Sequence, residues 1–457
     1  LRRERLMPVA PNADPTRTVT TGVVRPFFAD ADFDYAFRCA LGATGYGAGD
    51  LGMWLATAAR IVDGDRQSWF TAWSERADQL VRLADATVAA DPVGASWAYL
   101  SASAAYSRAL GAVDGLPAEQ ADAVAVPTFR SSRRCWDAMI DASGGRFVRV
   151  DVPYEDTTLP GYLLRPDTSG SARPTLVMTN GSDGSVADLW ASGAAEALDR
   201  GWNAFVYDGP GQQSMLFERH VPFRPDWEAV LTPVVDALVA RPDVDAAALT
   251  AYGLSQGGFW LPRALAFEHR FVAAVADPGV VDVSTSWTAY LPPEMIELLD
   301  SGQKDVFDHY MSQAGQDPDT ARTFAFRARP FDIDDPYDLF TAVRRYQLRD
   351  VAGQIRTPLL ITEPEDEQFW PGQSVELATL LTGPHQIVRF TREDGANQHC
   401  QPLTPRFGQA TMFGWLTAQL AARPGGAPLS RRAARTAPTT GRTTPVRPPG
   451  VWLGDHG

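Results

Sequence analysis

The chain predicts an α/β architecture: a mostly parallel sheet with flanking helices, preceded by an all-α domain. Three observations carry that expectation. From residue 147 onward, short apolar or alternating runs alternate with helix-compatible segments, the rhythm of a sheet built from crossover units. Before it, residues 28 to about 143 repeat apolar side chains at helical spacing. One strand–turn–helix junction carries Gly253-Leu254-Ser255-Gln256-Gly257, a G-x-S-x-G sequence.

Residues 1–27 are polar and broken by Pro8, Pro11 and Pro15, and read as poorly ordered. Residues 28–145 form the helical domain. Phe33, Phe37 and Ala40 share one helix face, as do Trp69, Trp73 and Leu80, and Leu80, Leu83, Ala84 and Val88 continue a face. Ala98, Ala102, Ala105 and Ala109 make a small-residue face for close helix packing, and Gly and Pro breaks punctuate four or five helices. Its five tryptophans, Trp54, Trp69, Trp73, Trp97 and Trp136, suit a core better than an aromatic pocket, although both readings stand.

Residues 146–422 form the catalytic domain. An opening hairpin pairs 147–152 with 161–164; strands follow at 175–179, 204–207, 246–252, 271–276, 358–362 and 385–390. Helices are expected over about 185–200, 226–240, 259–267 and 407–422, with a helical insertion over about 283–350. Turn chemistry between Pro330 and Pro336 suggests a hinge in that insertion. Residues 423–457 hold six Arg against one Asp without periodicity, a disordered tail with no assigned role.

A formal charge of -14 argues against nucleic acid, which needs clustered Lys and Arg. Cys39, Cys135 and Cys400 are scattered, so neither a disulfide framework nor a CxxC metal pair is expected. No run reaches the roughly 18 apolar residues of a membrane span. The start lacks an apolar h-region, Met7 is a candidate initiator, and a cytoplasmic protein is the expectation. No HxxxH or carboxylate cluster has ligand spacing, so neither metal nor cofactor is expected. The expected partner is a small-molecule substrate; a homodimer stays an open expectation.

A serine hydroxyl needs a base. Ser255 stands on a sharp turn at the end of a strand, where small flanking residues let backbones approach and the following helix aims N–H groups at a forming oxyanion. Among six histidines, His399 lies on the loop after the last strand and before the last helix, where a base in the order Ser, acid, His belongs. The acid should lie in Glu363-Pro364-Glu365-Asp366-Glu367, after the preceding strand; Glu367 is preferred and Asp366 is the alternative. Backbone N–H groups of Gln256 and Ser182 are the expected oxyanion donors. Asp183 is expected to cap the next helix, with substrate binding as its other reading.

Asp208-Gly209-Pro210-Gly211-Gln212, Asp226-Trp227-Glu228, Val234-Val235-Asp236, the serine motif with Gly258 and Pro262-Arg263-Ala264, Glu367-Gln368-Phe369-Trp370-Pro371-Gly372 and His399-Cys400 form a set. The set resembles one group of α/β-hydrolases: 2,6-dihydroxypseudooxynicotine hydrolase, fungal polyketide chain-shortening hydrolases of pigment synthesis, and FrsA-like esterases. It covers roughly residues 28 to 422 and implies an α/β-hydrolase fold whose helical N-terminal domain caps the active site. The implied activity is hydrolysis of an ester or of a carbon–carbon bond next to a ketone, in a small aromatic or polyketide-like molecule, through an acyl-enzyme. Two departures mark this chain: Glu367 replaces the pattern's Asp, and Gln256 stands where the group often has an apolar residue. A lyase or cyclase using the same residues as acid and base, and a non-catalytic ligand-binding protein, are the competing expectations.

Overall fold

The computed structural model describes residues 26–423. The expectations of disorder at either end fall mainly on residues 1–25 and 424–457, which lie outside the described residues.

Among the described residues, five α-helices come first: α1 (Ala31–Ala43), α2 (Leu51–Ala58), α3 (Arg66–Thr87), α4 (Pro92–Leu110) and α5 (Ala118–Asp141). Asp30, Asp65 and Asp91 start three of them by accepting hydrogen bonds from first-turn N–H groups, each cap contributing about 1 kcal/mol. Ala98, Ala102, Ala105 and Ala109 are fully buried on α4, and their small side chains let α3 and α5 approach it. Trp54, Trp69, Trp73 and Trp136 are buried in packing, which favours the core reading over the pocket.

The hairpin of β1 (Phe147–Tyr154) and β2 (Thr157–Leu164) leads into β3 (Arg173–Thr179). Then come α6 (Val186–Leu189), a π-helical turn (Trp190–Ala194), α7 (Ala195–Asp199) and β4 (Asn203–Tyr207). The serine unit follows: α8 (Gln213–Phe217), α9 (Glu228–Val239), β5 (Val244–Leu254), α10 (Gly257–Leu265) and β6 (Ala273–Asp277). The strand order is β1-β2-β4-β3-β5-β6, followed by β7 (Leu359–Pro364) and β8 (His385–Phe390); β1, β2 and β4 pair antiparallel, and from β4 onward in that order all strands, β3 included, are parallel. The order reverses around β3, so the loops after β3 and β5 flank a crevice at the carboxyl end of the sheet, where ligands of such sheets bind.

The insertion comprises α11 (Thr285–Thr288), α12 (Pro293–Asp300), α13 (Lys304–Ala314), α14 (Pro318–Ala328) and α15 (Pro336–Val343). The start of its expected hinge is packed into the core. Phe331 is buried with its ring centroid 5.2, 5.5 and 5.6 Å from those of Phe223, Trp287 and Tyr346, and the Phe223 N–H donates to the Pro330 carbonyl at 2.8 Å. Beyond it, Asp332 and Asp334 are exposed. The described residues end with β7 (Leu359–Pro364), α16 (Gln373–Leu380), β8 (His385–Phe390) and α17 (Pro405–Ala422).

Candidate active site

Ser255 follows β5 with φ of 56°, a left-handed conformation that costs a non-glycine residue roughly 1–2 kcal/mol. Neighbours hold it there. Its N–H donates to the Asp277 carbonyl at 2.7 Å, and Gly253 and Gly257 permit contacts that no side chain would. A Cβ on Gly253 would lie 2.3 Å from the Gly257 carbonyl oxygen, and one on Gly257 would lie 2.5 Å from that of Thr179. The turn therefore lifts Ser255 above the sheet while α10 begins directly beneath it.

His399 Nε2 lies 2.8 Å from Ser255 Oγ, and His399 Nδ1 lies 2.9 and 2.8 Å from the two carboxylate oxygens of Glu367. Glu367 Oε1 also accepts the backbone N–H groups of Phe369 and Trp370 at 2.9 and 3.3 Å. With the carboxylate at Nδ1, the neutral ring carries its proton there and presents the Nε2 lone pair to the hydroxyl. Asp366 faces elsewhere: it forms an ion pair with Arg392 and accepts Asn397 Nδ2 at 2.6 Å, while its backbone pairs with Asn397 and Gln398. Of the two acids weighed, Glu367 meets the histidine and Asp366 fastens the loop that carries it.

Burial opposes charge on both members of the His399–Glu367 pair, but their mutual attraction outweighs it. The His399 pKa is consequently held above its ordinary 6.5, and the Glu367 pKa below its ordinary 4.5 with help from the two backbone N–H groups.

On the facing loop, Gly181 comes so close to Ser255 that a Cβ there would lie 3.2 Å from Oγ. The Gly181 N–H is occupied by Asn180 Oδ1 at 2.9 Å, whereas the Ser182 and Gln256 N–H groups have no hydrogen-bond acceptor among the described residues. Gln212 clamps this loop: its Nε2 donates to the carbonyls of Asn180 and Gly181 at 3.0 and 2.8 Å, and its Oε1 accepts the Gly209 N–H. Asp183 does not cap α6. Ser185 does, in a reciprocal capping box with Asp188, because it stands at the position whose side chain reaches the first-turn N–H groups. Asp183 is solvent-accessible, and its carboxyl is pushed above the usual range, first by the surrounding protein and then by Asp188. The Gln256 carboxamide nitrogen is buried without a partner among the described residues.

The sequence reading missed two kinds of residue. Asp277, fully buried at the end of β6, accepts Tyr252 Oη at 2.7 Å, Thr362 Oγ1 at 2.5 Å and Gln401 Nε2 at 3.0 Å, tying β5, β7 and the histidine loop together. A carboxylate closing an all-apolar strand was the available signal. The helical domain supplies the others. Tyr35 donates to the His399 carbonyl at 2.9 Å, Arg108 pairs with Asp188 beside the Ser182 loop, and Arg133 pairs with the buried Asp208 after β4. No local sequence pattern announces such long-range contacts.

Residues 230–326, which include the serine turn, match the prolyl oligopeptidase family. Hydrolase LUC6 of Fusarium sp is 33% identical over 359 residues, covering 76% of this chain and 85% of that protein. The chain belongs to the α/β-hydrolase family. Within that family, 20-hydroxy-prefusarin hydrolase FUS2 of Gibberella moniliformis is 30% identical over 359 residues, covering 75% of this chain and 84% of its own. The fold of 2,6-dihydroxy-pseudo-oxynicotine hydrolase superposes with a TM-score of 0.65 at 18% identity, over 82% of this chain and 94% of that one. The architecture and the resemblance expected from the sequence both hold, and this α/β-hydrolase is an enzyme of the hydrolase class. Among the described residues no helix is long and apolar enough to cross a membrane.

Proposed function

We propose that this α/β-hydrolase uses Ser255, His399 and Glu367 to cleave a carbonyl-linked bond, an ester or a carbon–carbon bond next to a ketone, through an acyl-enzyme. The unbroken hydrogen-bond path from Ser255 Oγ through His399 to Glu367 carries this reading. His399 Nε2 removes the hydroxyl proton as Oγ attacks the carbonyl carbon, and the N–H groups of Gln256 and Ser182 receive the oxyanion. Collapse expels an alkoxide, or an enolate from a β-diketone, which takes the proton from His399. Water, deprotonated by His399, then releases the acid and restores Ser255. A relative named for 20-hydroxy-prefusarin supports a small organic substrate, and the family resemblance favours an aromatic or polyketide-like one.

The test is mass-spectrometric product analysis on aryl esters and aryl β-diketones, with Ser255→Ala alongside. Diketone cleavage lost in the variant identifies a carbon–carbon hydrolase; ester cleavage alone, also lost, identifies an esterase. Turnover that survives in the variant refutes the nucleophile, and an elimination product there points to a lyase.

A further inference from the structure

Asp183 follows Ser182 on the loop whose Gly181 touches the nucleophile, and its carboxyl has no task in the fold. Ser185 and Asp188 already cap α6 between them. The backbone of Asp183 is held, because its carbonyl accepts Gln213 Nε2 at 3.1 Å. The side chain is not. Among the described residues the Ser182 hydroxyl, donating to Oδ1 at 3.2 Å, is its one side-chain hydrogen-bond partner, and no cation lies within ion-pair distance. Arg108 acts on it electrostatically but is paired with Asp188.

This carboxyl borders the space around Ser255. Its charge helps to raise the pKa values of His399, of Arg108 on α4 and of Cys39 on α1, three groups brought together from separate parts of the chain. Tyr35, one turn before Cys39, holds the His399 carbonyl from the same helix. Tyr35, Cys39, Asp183 and Cys400 each keep solvent access, yet enclosure by protein is the first influence on the pKa of every one. Groups at once accessible and enclosed line an interior space, and Ser255 is partly accessible beside them.

A negative charge one residue from an oxyanion donor opposes the charge that the site has to stabilise. An accessible carboxylate there is offset when a substrate brings a hydrogen-bond donor to it, since such charge-assisted bonds are the strong ones. A substrate acid in that position would be repelled instead.

We propose that the Asp183 carboxyl determines specificity by accepting a hydrogen bond from a donor, an alcohol or an ammonium, that the substrate carries close to the carbonyl attacked by Ser255. This rests on the Ser255 chemistry proposed above and narrows its substrate to a hydroxy or amino carbonyl compound.

The test is calorimetric titration of the full-length Ser255→Ala enzyme with 3-hydroxypropiophenone, 3-aminopropiophenone and propiophenone, which share one aryl ketone and differ in the donor. At least one donor-bearing ketone is expected to bind about tenfold or more tightly than propiophenone, the range set by a hydrogen bond to a charged group. Preference for the hydroxy ketone identifies an alcohol, and preference for the amino ketone an ammonium. Adding Asp183→Ala should bring the ratio of donor-bearing to plain ketone to about one; Asp183→Asn, which keeps an accepting oxygen, should retain part of an alcohol preference and lose an ammonium preference. Failure of both donor-bearing ketones to outbind propiophenone overturns the proposal. So does a ratio unchanged by Asp183→Ala, including the case where all three ligands weaken in parallel, which would make Asp183 a support for its loop. Because the titration needs no turnover, persistent hydrolysis by Ser255→Ala would sink the nucleophile while leaving the specificity result readable. If Asp183→Ala fails to fold, the ratios in Asp183→Asn decide: an undiminished preference there overturns the proposal.

Discussion

Glu367→Gln and Asp366→Asn test which of two adjacent carboxylates serves the chemistry. Among the described residues, the Glu367 carboxylate accepts hydrogen bonds from His399 and from two backbone N–H groups of its own loop, and its side chain is 6% exposed. An amide there can turn its NH2 to Nδ1 and favour the wrong tautomer, so kcat should fall by about 10⁴, or roughly 5.4 kcal/mol of transition-state stabilisation. Asp366 bonds Arg392 across a surface where the two side chains are 31% and 49% exposed, so that pair contributes about 0–1 kcal/mol. Its bond from Asn397 adds about 1 kcal/mol more. Asp366→Asn should therefore lower stability by about 1–2 kcal/mol and kcat by less than about tenfold. Stopped-flow hydrolysis of an activated aryl ester and urea denaturation read the two effects separately. An Asp366→Asn loss as deep as that of Glu367→Gln refutes the reasoning, because the base would then depend on the wrong carboxylate.

Further outcomes follow from charge. Because His399 must be neutral to accept a proton, kcat/KM should rise with pH through an inflection above 6.5, and Glu367→Gln should move it downward. The sign for stability is opposite in the two partners: the raised His399 stabilises the fold fully below about pH 6.5 and loses that contribution as pH rises through its folded pKa. The depressed Glu367 contributes above about pH 4.5 and loses its contribution as pH falls through its folded pKa. An ester pH–rate profile with its inflection at or below 6.5 would count against the pairing. Arg133→Ala should cost about 3–5 kcal/mol in urea denaturation, since it strands the Asp208 carboxylate at 2% exposure; pairing it with Asp208→Asn should recover most of that. A single-variant cost below about 1 kcal/mol would refute the estimate.

Features written in local periodicity were legible in the sequence. The strand His385–Phe390 has the bounds its apolar run suggests, the opening hairpin pairs as its alternation implies, and the serine turn sits where strand gives way to helix. The choice between Asp366 and Glu367 was not closed by spacing, because neighbouring side chains in an extended segment point to opposite sides and only the partner loop decides which side holds the histidine. Asp183 was misread as a cap because Asp and Ser are both good caps, and only the entry of the chain into α6 selects Ser185. Asp277, Tyr35 and Arg133 act through contacts far along the chain, which no window of adjacent residues can register.

Tyr35 and His399 are separated by 364 positions, yet the first holds the backbone of the second. Arg108 and Arg133 likewise hold the loops after β3 and β4, so each grip comes from a helix completed before the loop it secures has been synthesised. The helical domain is thus more than a roof. It works as a jig for the loop bearing His399, which lies later in the chain than the helices that hold it. A fragment beginning at β1 would keep every residue of the Ser255–His399–Glu367 path and lack the fixtures that align them.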